Sequence, residues 1–505
     1  MPIDEDVVPG QSGHASHHNQ LAVKANELDE LTATGRLSVE GLNTTFGAGA
    51  VATYQGALPA GLGWDSVHYP VTPSIQESYQ GDVAGSIGET PQQFFDRFST
   101  ARSAPGGTFY VSTAGSDSND GLTLGTAFRS IGKAINAGNI AGVPTRVYVA
   151  GGEYPRANGF DATAGYYPQV DMAFIAISGS TRPIVGVWDA ASGFTADATH
   201  TNTYSKAVAN TTRVVDRLTR NRFGNYVELT PAASAAKCNT TPGTWFNDGT
   251  KLYVNRGDGA APSDTNTRYY RDAINLRIQS QVSVYVEGFD LEGCGSNYNM
   301  VHVNSSATTP PGGTPDAIVL NNSSLKYGGG AASAAGGGFR AVNWYGIMAA
   351  FGCQVDATAS DAFGIHNLQN DPAYMLTVNC QGNDLGRGVQ SVNFLTLHEE
   401  CVGIDIAGKG EQSRGGAVHH IQDSKAYLLG TRIVNDLGDA AAGGGIPPVA
   451  IRAAENAEVW ADRVRVEMPN GTFAYQAVAV TSKIHRKSCA PVRQPDAGSG
   501  VIDTY

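Results

Sequence analysis

Carboxylates and imidazoles gather between Asp356 and Asp423, and these are the residue types that acid–base chemistry requires. The acids are Asp356, Asp361, Asp384, Glu399, Glu400, Asp405 and Asp423, and the imidazoles are His366, His398, His419 and His420. Asp361 in the run SDAFGIHN and the cluster His398-Glu399-Glu400 stand out, because acidic and imidazole groups close in sequence can share a site as acid and base. Asp361, Glu399 and Glu400 are therefore the candidates for catalysis. Asp356, His366 and Asp405 are candidates for binding. Trp344 and Tyr345 join them, since sugar rings stack on exposed aromatic faces; neighbours on an expected strand face opposite ways, which puts one of the two outside. A plainer reading stands beside each: corner Asp residues hydrogen-bond nearby backbone, as Asx turns do, and so do most histidines.

Such a set acts together only if the fold stacks it. Parallel strands place equivalent positions about 4.8 Å apart, so carboxylates recurring once per coil of a solenoid form a ladder. Neighbouring coils then approach the ~5–5.5 Å carboxyl separation of retaining glycosidases, and alternate coils the ~6.5–9.5 Å of inverting ones. If Cys353 points inward, alternation turns Asp356 outward, whereas Asp384 and Asp405, four positions after their cysteines, turn inward unless a corner intervenes.

The stretch Phe109 to Ile135, FYVSTAGSDSNDGLTLGTAFRSIGKAI, indicates how such a solenoid begins. An aromatic and β-branched strand runs into a turn at Asp117 to Gly121, then into Phe128, Ile131, Ala134 and Ile135 at helical spacing. Asp117, Asn119 and Asp120 have the look of calcium ligands but lack the remaining positions of an EF-hand loop, and a capped turn explains them better. Beyond Tyr110 one grammar recurs: a few alternating apolar residues, then a Gly/Asn/Asp/Ser corner, as in VSVYVEGFDLEG (282–293), AIVLNNSSLKYGGG (317–330), GIMAAFGCQVDA (346–357) and YMLTVNCQGNDLG (374–386). Between 186 and 272 the regularity weakens, and GTWFNDGTKLYV (243–254) reads as a hairpin with Asp248-Gly249 at its tip. The expected fold class is all-β: a right-handed parallel β-helix with a short N-terminal helical segment for oligomerisation.

The strand-turn-helix order at 109–135 resembles the opening of bacterial and phage β-helix proteins, in which the helix plugs the end of the core. The stretch from Asn343 through Leu429, with its DATASDAFGIHN, NCQGNDLGR and GAVHHIQDSKAYLLGT, resembles the β-helix bodies of phage tail proteins and pectate-lyase-like depolymerases. GQSGHASHHNQLAVKANELDEL (10–31) resembles the N-terminal helices of minor tail proteins in tailed phages. These resemblances imply a minor tail protein or tailspike in the virion, attached to other tail proteins through its N-terminal region and presenting a surface to host polysaccharide. They do not decide between binding and cleavage. A free-standing polysaccharide lyase or glycoside hydrolase and a purely structural virion component stay open as alternatives.

Bulk properties narrow the field. With 41% hydrophobic and only 16% charged residues, and 62 glycines among 505, the chain suits a solenoid built from tight corners. A formal net charge of −12 argues against nucleic acid as partner. No apolar run is long enough to span a membrane, so no insertion is expected. The start MPIDEDVVPG lacks the basic and apolar regions of a secretory signal, which favours assembly into a particle released by lysis. The stripe Leu21, Leu28 and Leu31 is too short to be stable alone and suggests a homotrimer. No cofactor and no metal site are expected: the six cysteines lack CxxC spacing, and the histidines of HASHH (14–18) are a weak set. Cys353, Cys380 and Cys401 are spaced near one coil length and are expected to stack inward. The expected organisation is 1–36 for oligomerisation and attachment, 37–105 as a docking region with a short capped helix at Thr90-Pro91-Gln93 and its Phe94, Phe95 and Phe98 at the base of the solenoid, 106–485 as the β-helix, with 186–272 inserted or distorted, and 486–505 as a tail.

Overall fold

The computed structural model describes residues 37–39, 42–45, 51–78, 82–160, 165–179, 181–296, 298–304, 315–330, 336–366, 373–383, 385, 394–411, 416–420, 422–434, 449–467, 473–489 and 496–505. The expected N-terminal helix, the HASHH histidines and Asp384 lie outside them.

Most of the described strands belong to three parallel sheets. Sheet A has twelve strands, from Gly107–Val111 to Val501–Thr504; sheet B has nine, from Gly152–Tyr154 to Arg465–Glu467; sheet C has nine, from Leu276–Ile278 to Ala497–Gly498. From Val284 onward the chain visits A, B and C in rotation. Val284–Glu287, Asp290–Glu292 and Val301–Val303 make one circuit, and Asp316–Asn321, Ser324–Lys326 and Phe339–Val342 the next, each strand pairing in parallel with its counterpart.

Alternation supplies the core. In sheet C, Leu276 and Ile278, Val301 and Val303, Phe339 and Ala341, and Phe363 and Ile365 are fully buried in one apolar cluster, with Leu291, Leu325 and Val355 from sheet B and Val286, Leu320 and Met348 from sheet A. Each fully buried aliphatic of this kind contributes about 1.5–3 kcal/mol of transfer free energy. The corner from A to B is made by a single left-handed residue in coil after coil: Gly288, Asn322, Gly352, Asn379, Ala407, Gly430, Arg463 and Ser488 all have φ between 45° and 80°. That conformation favours Gly and Asn, which is why corner residues punctuate the sequence at this place.

This corner also sorts the cysteines. Cys353 and Cys380 each follow a left-handed residue, and their neighbours Gln354 and Gln381 are paired, so they occupy equivalent inward positions. Cys401 does not continue that stack. It precedes Val402, which pairs with Tyr374 and Lys425, so its equivalents are Ala373 and Ser424 at the C-to-A corner. All three thiols are buried and outside any disulfide among the described residues. Unequal corner lengths make the expected three-cysteine ladder fail at its third rung.

The helix Ile131–Ala141, N-capped by Ser130 and ended by left-handed Gly142, adds Ile131, Ala134 and Ile135 to the core beside Gly107–Val111, the edge strand of sheet A. Asp117 ties the preceding turn to this helix, accepting from the backbone of Arg129 and Ser130 and from the Ser130 hydroxyl at 2.8–2.9 Å. The helix Pro91–Asp96 has the capping box spelled by Thr90 and Gln93. Its aromatics are not at the base of the stack. Phe94 and Phe95 lie on the outer face of sheet A against Phe351 and Tyr285, because that face presents Ala173, Val319, Ala349, Leu376 and Ile404, an apolar strip that requires cover. An antiparallel meander of Leu37–Val39, Leu42–Thr45, Val51–Gln55, Ser74–Ser78 and Val83–Ser86 precedes that helix, and its Tyr54 donates to Asp462 at 2.7 Å.

Residues 188–271 interrupt the rotation with a four-stranded and a five-stranded sheet of mostly antiparallel pairs, including the hairpin of Thr244–Asn247 and Lys251–Asn255. Buried Arg213 fastens this unit to the corners after sheet B, donating to the carbonyls of Gly328, Gly329 and Ala357 and to Glu228. The last residues are not a separate tail: Ala497–Gly498 and Val501–Thr504 are strands of sheets C and A. Among the described residues no helix is long and apolar enough to cross a membrane.

Candidate functional site

The outward residues of sheet C form two registered columns. The first runs Arg277, His302, Arg340, Gly364 and Thr396 across the strands Leu276–Ile278, Val301–Val303, Phe339–Val342, Phe363–His366 and Leu395–His398. The second runs Val342, His366 and His398. Both point away from the core because their neighbours in each strand point into it.

Gly364 is the centre of the arrangement. It carries no side chain and is buried; a Cβ there would lie 3.1 Å from the Thr396 carbonyl, 3.6 Å from the Thr396 Cβ and 3.9 Å from the Asp361 Cβ, so glycine is what lets Asp361 and Thr396 close in between Arg340 and His366. Asp361 arrives from the B-to-C connection, which is held when its carbonyl accepts from the Gly338 amide at 3.0 Å. Its carboxylate is 3.6 Å from His366 Nε2, and the His366 and His398 rings lie 3.7 Å apart between centroids. Gly364 is thus bordered by a guanidinium, a carboxylate and two imidazoles in contact, their rings tilted by 38°.

Their charge states follow from this packing. Burial alone would raise the Asp361 carboxyl, but His366, Arg340 and His398 outweigh it and hold it below the ordinary carboxylate range. Burial lowers His366, against the pull of Asp361, so the imidazole is neutral near pH 7. The arrangement is an ionised carboxylate beside a neutral imidazole, able to accept a proton or to hold sugar hydroxyls. A two-carboxylate hydrolase also needs an acid that stays protonated. Burial does raise Asp405 and Asp316 to about 6, yet neither belongs to this site: Asp405 points into the core from sheet A, and Asp316 starts a sheet A strand beside Ser283.

The sequence-derived candidates divide accordingly. Asp361 and His366 are brought together with His398 beside them; Asp361 is itself nearly buried, at 5% exposure, and it is His366 and His398 that reach the surface. Glu399 follows as a left-handed corner residue, φ 57°, whose amide donates to Gln422 at 2.9 Å and whose carboxylate acts on Arg340; Glu400 is exposed on the same turn. Asp405 is not available to a ligand: it is fully buried and accepts from Thr377 and Thr431 at 2.6 and 2.5 Å, because no corner intervenes to turn it out. Asp356 does point away from Val355 and the core, but it is fully buried, taking hydrogen bonds from Gln354 and Asn383 under the neighbouring inserted sheets. Neither Trp344 nor Tyr345 is outside. Left-handed Asn343 ends the strand before them and breaks the alternation, so Trp344 enters the core and Tyr345 is also buried. His420 points inward, Asp423 holds Asn456 on an exposed turn, and the His419 side chain lies outside the described residues. Among the described residues no group of three or more His, Cys, Asp or Glu is placed to hold a metal ion.

Arg277, His302 and Arg340 were not among the sequence candidates. Their signal was present in the triplets LRI, VHV and FRA, each a basic or imidazole residue between two inward apolar ones, but the triplets are far apart and unequally spaced.

No family model matches this chain, and no curated protein does. Among solved structures it is similar to the complex of XylC with xylose, at 10% identity and a TM-score of 0.49 over 75% of this chain and 68% of that one. It is also similar to the GH136 lacto-N-biosidase of Eubacterium ramulus, at 9% identity and a TM-score of 0.40 over 79% and 68%, and to the tailspike protein gp49 of Pseudomonas phage LKA1, at 11% identity and a TM-score of 0.23 over 73% and 76%. None is near enough to lend this chain a function.

Proposed function

We propose that this chain is a right-handed parallel β-helix of the tailspike or minor tail protein type, which recognises polysaccharide at a host surface through the outer face of sheet C. The observation that carries the proposal is the cluster at Gly364, with Asp361, His366 and His398 around it and Arg340 beside it in register on the outer face of the sheet. Sugar hydroxyls require donors and acceptors held together on a surface a chain can lie along, and registered columns on a parallel sheet provide that. The A, B, C rotation supports the β-helix, and the resemblance of 343–429 to phage tail β-helices supports the setting. Residues 1–36 would attach the protein to the virion and join three copies.

Cleavage is a second reading, favoured by the contact of ionised Asp361 with neutral His366. With Asp361 ionised and in contact with His366, it would take the form of proton abstraction rather than two-carboxylate hydrolysis.

The test is calorimetric titration of the intact protein with surface polysaccharides from a panel of bacteria, with ultraviolet detection of unsaturated ends. Wild type should bind at least one, and Asp361→Asn and His398→Ala should weaken that binding at unchanged secondary structure. Binding that neither variant alters would remove the site from sheet C.

A further inference from the structure

The first column of sheet C carries an arrangement that neutral sugars do not need. Arg277 and Arg340 lie two strands apart, about 9.6 Å at the usual spacing, with His302 between them. Both guanidiniums are partly buried, yet no ion pair or hydrogen bond joins either to a described residue, and the Nε of each is buried without a partner. Asp361 and Glu399 act on Arg340 only at longer range, and the Asp361 carboxylate is directed at His366. Taking a cation out of water is costly, and proteins ordinarily offset that cost with a carboxylate at contact distance. No such carboxylate stands at contact distance among the described residues, which leaves both guanidiniums able to take an anion from outside.

The surroundings indicate which kind. Between the two cations His302 is neutral, pushed down to about 4 by burial and by Arg277 and Arg340, so the charge is sparse, one cation on every second rung. A densely charged polyphosphate or nucleic acid needs clustered Lys and Arg, which a chain of net charge −12 does not offer here. Tyr298 adds a ring edge-on to the His302 imidazole at 5.7 Å, with the Arg277 guanidinium 6.0 Å from its centre. Guanidinium forks fit carboxylates bidentately, and an aromatic ring beside them fits a sugar ring face. We propose that Arg277 and Arg340 form a carboxylate-binding subsite, so that the ligand of sheet C is a uronic-acid polysaccharide rather than a neutral one. This rests on sheet C being a glycan surface.

The experiment is calorimetric titration of the intact protein with polygalacturonate, alginate and hyaluronate, with their carboxyl-reduced forms, and with neutral and sulfated glycans. At least one uronate polymer should bind, carboxyl reduction should abolish that binding, and Arg277→Gln and Arg340→Gln should each weaken it about tenfold or more, the range for a lost charge-assisted hydrogen bond. Arg340→Lys, which keeps the charge but not the fork, should fall between, and this separates loss of the subsite from loss of the fold. Binding of neutral glycans that survives carboxyl reduction would overturn the subsite while leaving the glycan surface standing. Binding of sulfated glycans alone would overturn the carboxylate assignment, and binding of none would overturn both proposals.

Discussion

Asp405 is an acid that the fold carries at a cost, and removing its charge should stabilise the protein. Its carboxyl points into the core from Val402–Ile406, fully buried, held by the hydroxyls of Thr377 and Thr431 and by the Gly408 amide. Burial is the largest influence on it and raises it from 3.8 to about 6, against the lowering by those hydrogen bonds. The folded protein therefore binds more protons than the unfolded chain between these values, and stability falls as pH rises through that window. At about 1.4 kcal/mol per tenfold change in proton affinity, the loss is roughly 3 kcal/mol above pH 6 and vanishes below about 3.8. Asp405→Asn keeps the shape, and the threonine hydroxyls can rotate to accept from its amide. The variant should match wild type at pH 4 and exceed it by up to about 3 kcal/mol at pH 7. Urea midpoints of both proteins at the two pH values measure this, and the difference between them cancels every other titrating group. A variant destabilised equally at pH 4 and pH 7 would refute the reasoning and show that the carboxylate's own hydrogen bonds dominate.

Two further outcomes follow from the corners. Gly430→Ala should cost about 1–3 kcal/mol, because φ is +66° and the new methyl would meet Ile75 at 3.0 Å and Val83 at 3.2 Å; an unchanged urea midpoint would contradict this. Cys353, Cys380 and Cys401 should react slowly with a thiol reagent without denaturant and quickly with it, since all three are buried; fast native labelling would place a thiol at the surface.

Local rules made several elements legible in the sequence. The Thr90-Pro91-Gln93 capping box, the Asp117 turn and the Asp248-Gly249 hairpin are each specified by a few neighbouring residues, and each is present. The alternating strands with Gly and Asn corners reflect a left-handed residue that recurs between sheets A and B. What failed depended on register or cover. Cys401 was assigned one rung of a ladder it does not join, because corners differ in length. Trp344 and Tyr345 were placed by an alternation that Asn343 breaks. Asp356 does leave the core side of its strand, but cover from a distant part of the chain cannot be read from period two. Asp361 and His366 were found because they are five residues apart, whereas Arg277 and Arg340 meet only through pairing with the strand of His302.

The central claim is that the outer face of sheet C holds the ligand, and hydrogen exchange of the intact protein with and without a bound polysaccharide tests it most directly. Protection should concentrate in Phe339–Val342, Phe363–His366 and Leu395–His398 and in the corner holding Asp361. Protection confined to another surface, such as the cleft on sheet A bordered by Tyr110, Tyr148, Arg182 and Asn322, with sheet C unchanged, would contradict it.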